Sequence, residues 1–147
     1  MNIKWHLRAR AVIYRDGKFL VVHPKGGDYI FLIGGHVEEG ESVPVALERE
    51  IMEEARRKAE AKEYLGAIEN AWMEEGARQW EITHFFNVKI TDIETHPDII
   101  PAEEGFDLIW VTPDEFGKLN LLPTPLRGFM KNWAAGDRGI WWASAMD

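Results

Sequence analysis

The stretch GHVEEGESVPVALEREIMEE, residues 35–54, decides how the rest of the chain is interpreted. In its second half an apolar residue recurs at every fourth position, and this spacing predicts an amphipathic α-helix. The recurring residues are Val43, Leu47 and Ile51, with Ala55 continuing the series. Ser42 is a suitable N-cap residue and Pro44 suits a first helical turn. We therefore predict that an amphipathic helix begins directly after Ser42.

Three glutamates of this helix share one face at the edge of its apolar stripe, because successive side chains advance by about 100°. They are Glu50, Glu53 and Glu54. Clustered carboxylates repel each other, and a hard divalent cation such as Mg²⁺ would compensate their charge. The preceding Gly34-Gly35 pair would let a backbone carbonyl approach the same ion. The alternative is a solvated face whose glutamates pair with Arg49 and Arg57 at helical spacing.

The remaining sequence predicts strands on both sides of this helix and two shorter helices after it. Alternation and short apolar runs predict the strands, which cover residues 5–14, 19–22, 29–33, 64–73, 80–90 and 106–111. The later helices are predicted over residues 112–116 and 126–134, whereas the tail from residue 136 to 147 has no usable periodicity and its order is uncertain. This order of elements favours mixed α/β layers in one domain over residues 1–147.

Composition narrows the classes of protein that the chain can represent. The chain has 147 residues, of which 46% are hydrophobic, and this is ample material for one core. It has no cysteine, which excludes disulfides, thiolate zinc sites and cysteine nucleophiles. A formal net charge of −8 opposes binding to duplex nucleic acid. Without a long apolar run, we expect a cytoplasmic protein with no membrane partner.

Seven residues of this region match the Nudix box, GX5EX7REUXEEXGU with U an aliphatic residue, at every spacing through Glu54. They are Gly35, Glu41, Arg49, Glu50, Ile51, Glu53 and Glu54. Over residues 35–57 the chain thus resembles the Nudix hydrolases, and weaker similarity extends over residues 8–116. Arg56 and Arg57 depart from the box, which has a glycine and an aliphatic residue there, so we expect the helix to continue past Arg57 and Lys58. The resemblance implies an α/β/α sandwich in which the box helix packs against a mixed β-sheet.

The resemblance also implies a metal site that binds Mg²⁺, with Mn²⁺ as a substitute. Its ligands would be the carbonyl of Gly35 and the carboxylates of Glu50, Glu53 and Glu54. Glu53 would either bind a second ion or contact the attacking water. Arg49 and Glu41 would form an ion pair that orients the glutamate face.

Residues outside the box are candidates for the general base and for substrate binding. The base could be Glu81, Glu103 or Glu104, and each of these could equally be an ordinary solvated glutamate. Arg8 and Arg10 share one side of the first strand and could bind phosphate, or they could lie at a solvent-facing edge. His36 could touch the substrate. Several aromatic residues could stack on a base or belong to the core, namely Trp5, Tyr29, Phe31, Trp72 and Trp80.

These features together predict a metal-dependent hydrolase that cleaves a diphosphate bond in a nucleoside diphosphate linked to another moiety. The alternative is a catalytically silent Nudix-like module that binds a nucleotide or has a regulatory role. Isopentenyl diphosphate isomerases share the fold, but their best-known type uses a cysteine, which this chain lacks. The expected partner is a small diphosphate-containing molecule, and a homodimer is possible.

Overall fold

The computed structural model describes residues 2–146, so residues 1 and 147 of the expected domain lie outside it. Its strands are β1 (Ile3–Val12), β2 (Tyr14–Arg15), β3 (Lys18–Pro24), β4 (Gly34–His36), β5 (Ala59–Glu74), β6 (Ala77–Ile90), β7 (Phe106–Val111) and β8 (Trp141–Ser144). Its helices are α1 (Val43–Ala55) and α2 (Pro125–Ala134), and a 3₁₀ turn spans Pro113–Glu115. None of the helices within residues 2–146 is long and apolar enough to cross a membrane.

The strands form two sheets. The larger one has the order β4-β1-β6-β5-β8, in which β1 is parallel to β6 and β8 is parallel to β5, while the other pairs are antiparallel. The smaller antiparallel sheet has the order β2-β3-β7. The long hairpin β5-β6 contributes buried residues to the core on both faces of the sheet, such as Phe85 on one face and Val88 on the other.

The two helices cover opposite sides of the larger sheet. Helix α1 buries Leu47 and Ile51 against Ala9 and Ala11 of β1. Helix α2 packs its buried face, which consists of Leu126, Met130 and Trp133, into a second cluster with Ile68 and Phe85. This arrangement confirms the predicted α/β/α layers with a mixed sheet.

Helix α1 begins as predicted but ends earlier. The Ser42 hydroxyl accepts a hydrogen bond from Val45 N at 3.4 Å, so Ser42 is the N-cap. The prediction that the helix continues past Arg57 and Lys58 is wrong, because Arg56 adopts a left-handed conformation with φ 52° and donates its N–H to Met52 O. Arginine thus occupies the conformation in which glycine is most favourable.

The early end of α1 places Arg57 against the loop that follows β6. Its guanidinium donates to Asp92 Oδ1 at 2.7 Å, to His96 O at 2.7 Å and to Asp98 O at 3.1 Å. The Arg57 guanidinium also lowers the pKa of Asp92 from its ordinary value. The chain departs from the box at these two positions. Arg56 ends helix α1, and Arg57 binds the loop that follows β6.

The prediction of a strand over residues 29–33 is wrong, because this segment forms only isolated β-bridges. Phe31 pairs with Val22 of the smaller sheet, and Ile33 O accepts a hydrogen bond from Ala11 N of the larger sheet. The chain crosses between the sheets here, so it cannot continue either ladder. A similar division affects the strand predicted over residues 5–14, because β1 ends at Val12 and Tyr14 pairs with Phe19 in the other sheet.

The tail without periodicity contains an ordered strand. Strand β8 pairs with Gly66–Glu69 of β5, and the Trp141 side chain is buried in the core. At Gly66 φ is 144°, and a Cβ there would overlap the backbone of Trp141. Glycine therefore permits the close approach of the two strands.

Candidate active site

The candidate site lies where β4 joins the edge of the larger sheet. Arg8, Ala9 and Arg10 pair with His36, Gly35 and Gly34 respectively. At Gly34 φ is 147°, and a Cβ there would overlap the backbone of Ala9 and Arg10. This glycine therefore lets β4 lie close against β1 and turns the chain toward α1.

Gly35 supports the carboxylate of Glu50. A Cβ at Gly35 would lie 2.6 Å from the carboxyl carbon of Glu50 and 2.7 Å from each of its oxygens. Only a residue without a side chain leaves room for this contact between the glutamate and the β4 backbone.

Glu54 lies next to Glu50 in a largely buried position. Burial, and then the charge of the neighbouring Glu50, raise the pKa of Glu54 to about 8, although the charge of Arg10 and the Gly34 backbone act in the opposite direction. At neutral pH the pair therefore needs a proton or a cation to reduce its repulsion.

Arg49 connects the box residues to one another. Its Nε donates to Glu41 Oε2 at 2.6 Å and its Nη2 donates to Glu41 Oε1 at 2.9 Å. The same guanidinium reaches Glu50 Oε1 at 3.1 Å and His36 O at 3.1 Å. Hydrogen bonds from Arg49 lower the pKa of Glu41 to about 2, so Glu41 remains ionised. Arg49 thereby holds the loop before α1 against the Glu50 side of the helix.

Glu53 is separated from the other two glutamates by its contact with Arg49. Its oxygens accept from Arg49 Nη1 at 3.2 and 3.3 Å, and its side chain is 59% exposed. No three His, Asp or Glu side chains within residues 2–146 are grouped to hold one metal ion. Nevertheless, the contacting carboxylates of Glu50 and Glu54 are hard oxygen donors that fit a divalent cation.

Arg8 and Arg10 lie on the face of β1 opposite the buried Ala9 and Ala11, and of the two arginines Arg10 is electrostatically coupled to Glu54 and Glu50. Arg10 is half-buried, donates from Nη1 to Leu32 O at 3.1 Å and lies over the Phe31 ring at 5.3 Å. Burial lowers the pKa of Arg10, then Arg8 lowers it further, while the charges of Glu54, Glu81 and Glu50 raise it. Arg10 is therefore coupled to the glutamates, and it also lines the cavity described below.

The structure distinguishes the three candidate general bases. Both oxygens of Glu81 are occupied, by Arg8 Nε at 2.7 Å and by Thr83 Oγ1 at 2.9 Å. Glu103 and Glu104 are exposed in a loop that meets α1 through a hydrogen bond from Ala102 N to Glu54 O at 2.8 Å. Neither of these two side chains has a hydrogen bond or ion pair within residues 2–146.

His36 belongs to a chain of hydrogen bonds that runs through His6 of β1 to Gln79 of β6. Gln79 Nε2 donates to Ala77 O, which directs Gln79 Oε1 toward His6 Nε2 at 2.6 Å. His6 Nε2 therefore donates to Gln79, and His6 Nδ1 is hydrogen-bonded to His36 Nε2 at 3.0 Å. Burial lowers the pKa of His36, and Arg8 and His6 lower it further.

A cavity of about 850 Å³ adjoins the arginines on the α2 side of the larger sheet. It is bounded by side chains of β1, β5 and β6 and by the segments 29–32 and 122–126. Sequence reasoning did not identify Asn70 and Thr83 among its lining residues. For Asn70, the sequence pattern that could have indicated this position is the alternation Ile68-Asn70-Trp72. It places a polar residue between two apolar ones on the same face of β5.

Comparison with known proteins places the chain in a known family. The sequence model of the Nudix domain family matches residues 4–134, so the chain belongs to the Nudix family. This membership confirms the resemblance found in residues 35–57 and the prediction of a Nudix-type diphosphate hydrolase. A search of curated proteins found no match.

Solved structures show the same architecture. The E. coli ORF135 protein is 27% identical with a TM-score of 0.63, and the similarity covers 93% of this chain and 96% of that chain. A NUDIX hydrolase from Nitrosomonas europaea is also 27% identical with a TM-score of 0.63, covering 92% of each chain. The MutT protein from Bacillus halodurans shares the fold, with a TM-score of 0.69 and 17% identity. The similarity covers 96% of this chain and 89% of that chain.

Proposed function

We propose that the chain is a Mg²⁺-dependent hydrolase that cleaves a diphosphate bond in a nucleoside diphosphate linked to another moiety. The observation that carries this proposal is the proximity of two carboxylates, Glu50 against the Gly35 backbone and the largely buried Glu54 beside it. Two adjacent carboxylates, one of them largely buried, favour a bound cation over an isolated pair of like charges.

The metal would be held by Glu50, Glu54 and the Gly35 carbonyl, and Mn²⁺ could replace Mg²⁺. Bound metal supplies charge neutralisation and Lewis acidity for the attack of water on phosphorus. The bond between that phosphorus and the bridging oxygen breaks, and the leaving group retains the bridging oxygen.

The protein's own side chains would position the reactants. Arg49 holds both Glu50 and Glu53, and the exposed Glu53 would bind a second ion or contact the attacking water. Arg10 and Arg8 would bind the phosphate oxygens. Because both oxygens of Glu81 are already occupied, we assign it to positioning Arg8. Glu103 and Glu104 remain candidates for a base carried by the loop next to α1.

The proposal is tested by incubating the protein with Mg²⁺ and a panel of nucleoside triphosphates, dinucleoside polyphosphates, nucleotide sugars and dinucleotides. Chromatography should show cleavage of at least one compound at its diphosphate, with activity lost in EDTA and restored by Mg²⁺. Glu54→Gln should lower kcat roughly a hundredfold or more because it removes a charged ligand. Glu94→Gln, on an exposed loop, should leave kcat unchanged. Nucleotide binding without turnover of any compound would favour the silent module.

A further inference from the structure

The loop between β6 and β7, residues 91–105, meets the end of helix α1 without packing tightly against it. A cavity of about 400 Å³ lies between the two segments, lined by Ala55 and Arg57 from the end of the helix and by loop residues from Asp92 to Ala102. Close packing gives protein interiors their rigidity, and a cavity interrupts it. The distance between this loop and the helix therefore depends on polar contacts.

Arg57 makes three of these contacts with a single side chain. Its guanidinium binds the Asp92 carboxylate and the carbonyl oxygens of His96 and Asp98, and only 13% of the side chain is exposed. A planar guanidinium has donors on several sides, so it can bind all three acceptors at once, whereas the ammonium group of lysine is a compact point charge. Arg57 thus fixes the first half of the loop to the residues that follow α1.

The charge of the loop makes an arginine necessary at this position. Residues 91–105 contain five carboxylates and no lysine or arginine. The glutamate face of α1 has the same sign of charge, so the loop and the helix repel each other. A cation between them reduces this repulsion, which the aliphatic residue of the Nudix box at this position would not do.

The loop leads from the Arg57 contacts to the two free glutamates. The Ile99 side chain is buried in the core, and Ala102 N then donates to Glu54 O at 2.8 Å. Glu103 and Glu104 follow directly and are exposed. The two carboxylates are therefore attached to a backbone that touches the metal-binding helix at Glu54, and Arg57 holds the preceding part of that backbone.

We propose that Arg57 is a positioning residue for hydrolysis, holding the loop on α1 so that Glu103 or Glu104 serves as the general base. The base would take a proton from the attacking water while the water oxygen bonds to phosphorus and the bridging oxygen leaves. This role rests on the proposed function. Arg57 acts through the loop and contacts neither the metal nor the substrate.

Amide hydrogen exchange, followed by NMR without metal or nucleotide, tests whether Arg57 holds the loop. Arg57→Leu introduces the aliphatic type of the box, and the Ala102 amide should exchange roughly tenfold faster or more, because the loop opens more easily. Lys58→Leu removes the same charge from the exposed neighbouring residue and should leave this rate unchanged. If Arg57→Leu unfolds, Arg57→Lys keeps the charge without the planar group and should show a smaller increase.

A double-mutant cycle tests whether Arg57 acts through the glutamates, using the nucleotide that the wild-type protein cleaves fastest. Arg57→Leu should lower kcat roughly tenfold to a hundredfold with little change in KM, because it displaces the base and leaves the phosphate-binding arginines in place. Glu103→Gln combined with Glu104→Gln should lower kcat about a hundredfold or more. In that background Arg57→Leu should cause no further loss, since the base is already absent.

Three results would overturn the proposal: an equal loss of kcat from Arg57→Leu in both backgrounds, full activity without the two glutamates, or unchanged Ala102 exchange in a folded Arg57 variant. Failure of the proposed function gives a different result. A wild-type protein that cleaves no nucleotide, but whose Ala102 exchange still depends on Arg57, would contradict hydrolysis and the base while supporting the role of Arg57 in holding the loop.

Discussion

Gly35 lies directly beneath the carboxylate of Glu50, and the missing side chain is what allows this contact. We predict that Gly35→Ala lowers kcat about a hundredfold, because a methyl group would displace the carboxylate from its place beside Glu54. The displaced atoms are the end of a flexible side chain and Gly35 is not in the left-handed region, so the melting temperature should change little. Enzyme kinetics and thermal unfolding together check this prediction.

Gly105→Ala is the matched control, because a Cβ at Gly105 meets nothing within 4 Å. It should leave both kcat and stability close to those of wild-type protein. Full activity of Gly35→Ala would show that Glu50 does not need its place above the glycine.

Individual site residues could be predicted only when they belong to a fixed local spacing. Glu41 and Arg49 are eight positions apart in the box, and the structure contains the expected ion pair at 2.6 Å. The conformation of Glu53 could not be predicted, because helical spacing places it near Glu50 and equally near Arg49. The choice between these contacts depends on the geometry of all three side chains.

At the scale of whole elements, strands and helices could be predicted where the sequence pattern is periodic. Elements whose bounds depend on tertiary contacts could not be predicted. The continuation of α1 was predicted because arginine in a left-handed conformation costs about 1 kcal/mol relative to glycine. The structure offsets this cost with the three acceptors that bind Arg57. Those acceptors lie beyond β6, so no local window of the sequence contains them.

Strand β8 gives a prediction at this scale. Trp141 is buried and stacks on Phe129 at 5.5 Å, and its backbone lies against Gly66. Gly66→Ala would push β8 and this tryptophan away from the sheet. We expect it to lower the free energy of unfolding by about 3 kcal/mol, comparable to the loss of a large buried aromatic side chain. Urea denaturation measures the change.

The same control, Gly105→Ala, should unfold at the wild-type urea concentration. If Gly66→Ala also unfolds there, β8 does not depend on the close approach at Gly66. The strand itself could not be predicted, because its four residues show no periodicity and its partner lies far away in the sequence.

The whole molecule brings a glutamate pair on α1 and a cavity over β1, β6 and β5 to the two faces of the larger sheet. The glutamates come from α1, the arginines from β1 and the remaining walls from β5, β6 and the segment before α2. The box and the class of fold could be predicted, since the relevant residues are local and strongly patterned. Asn70 and the 122–126 segment could not, because only the folded topology brings them beside Arg10.

Metal binding tests the central claim most directly. Titration of the protein with Mn²⁺, followed by electron paramagnetic resonance, should show saturable binding that Mg²⁺ displaces. Glu54→Gln should weaken this binding at least tenfold, whereas Glu94→Gln should bind like wild-type protein. If Mn²⁺ binds equally well to folded Glu54→Gln, or not at all to wild-type protein, Glu50 and Glu54 are not the metal site.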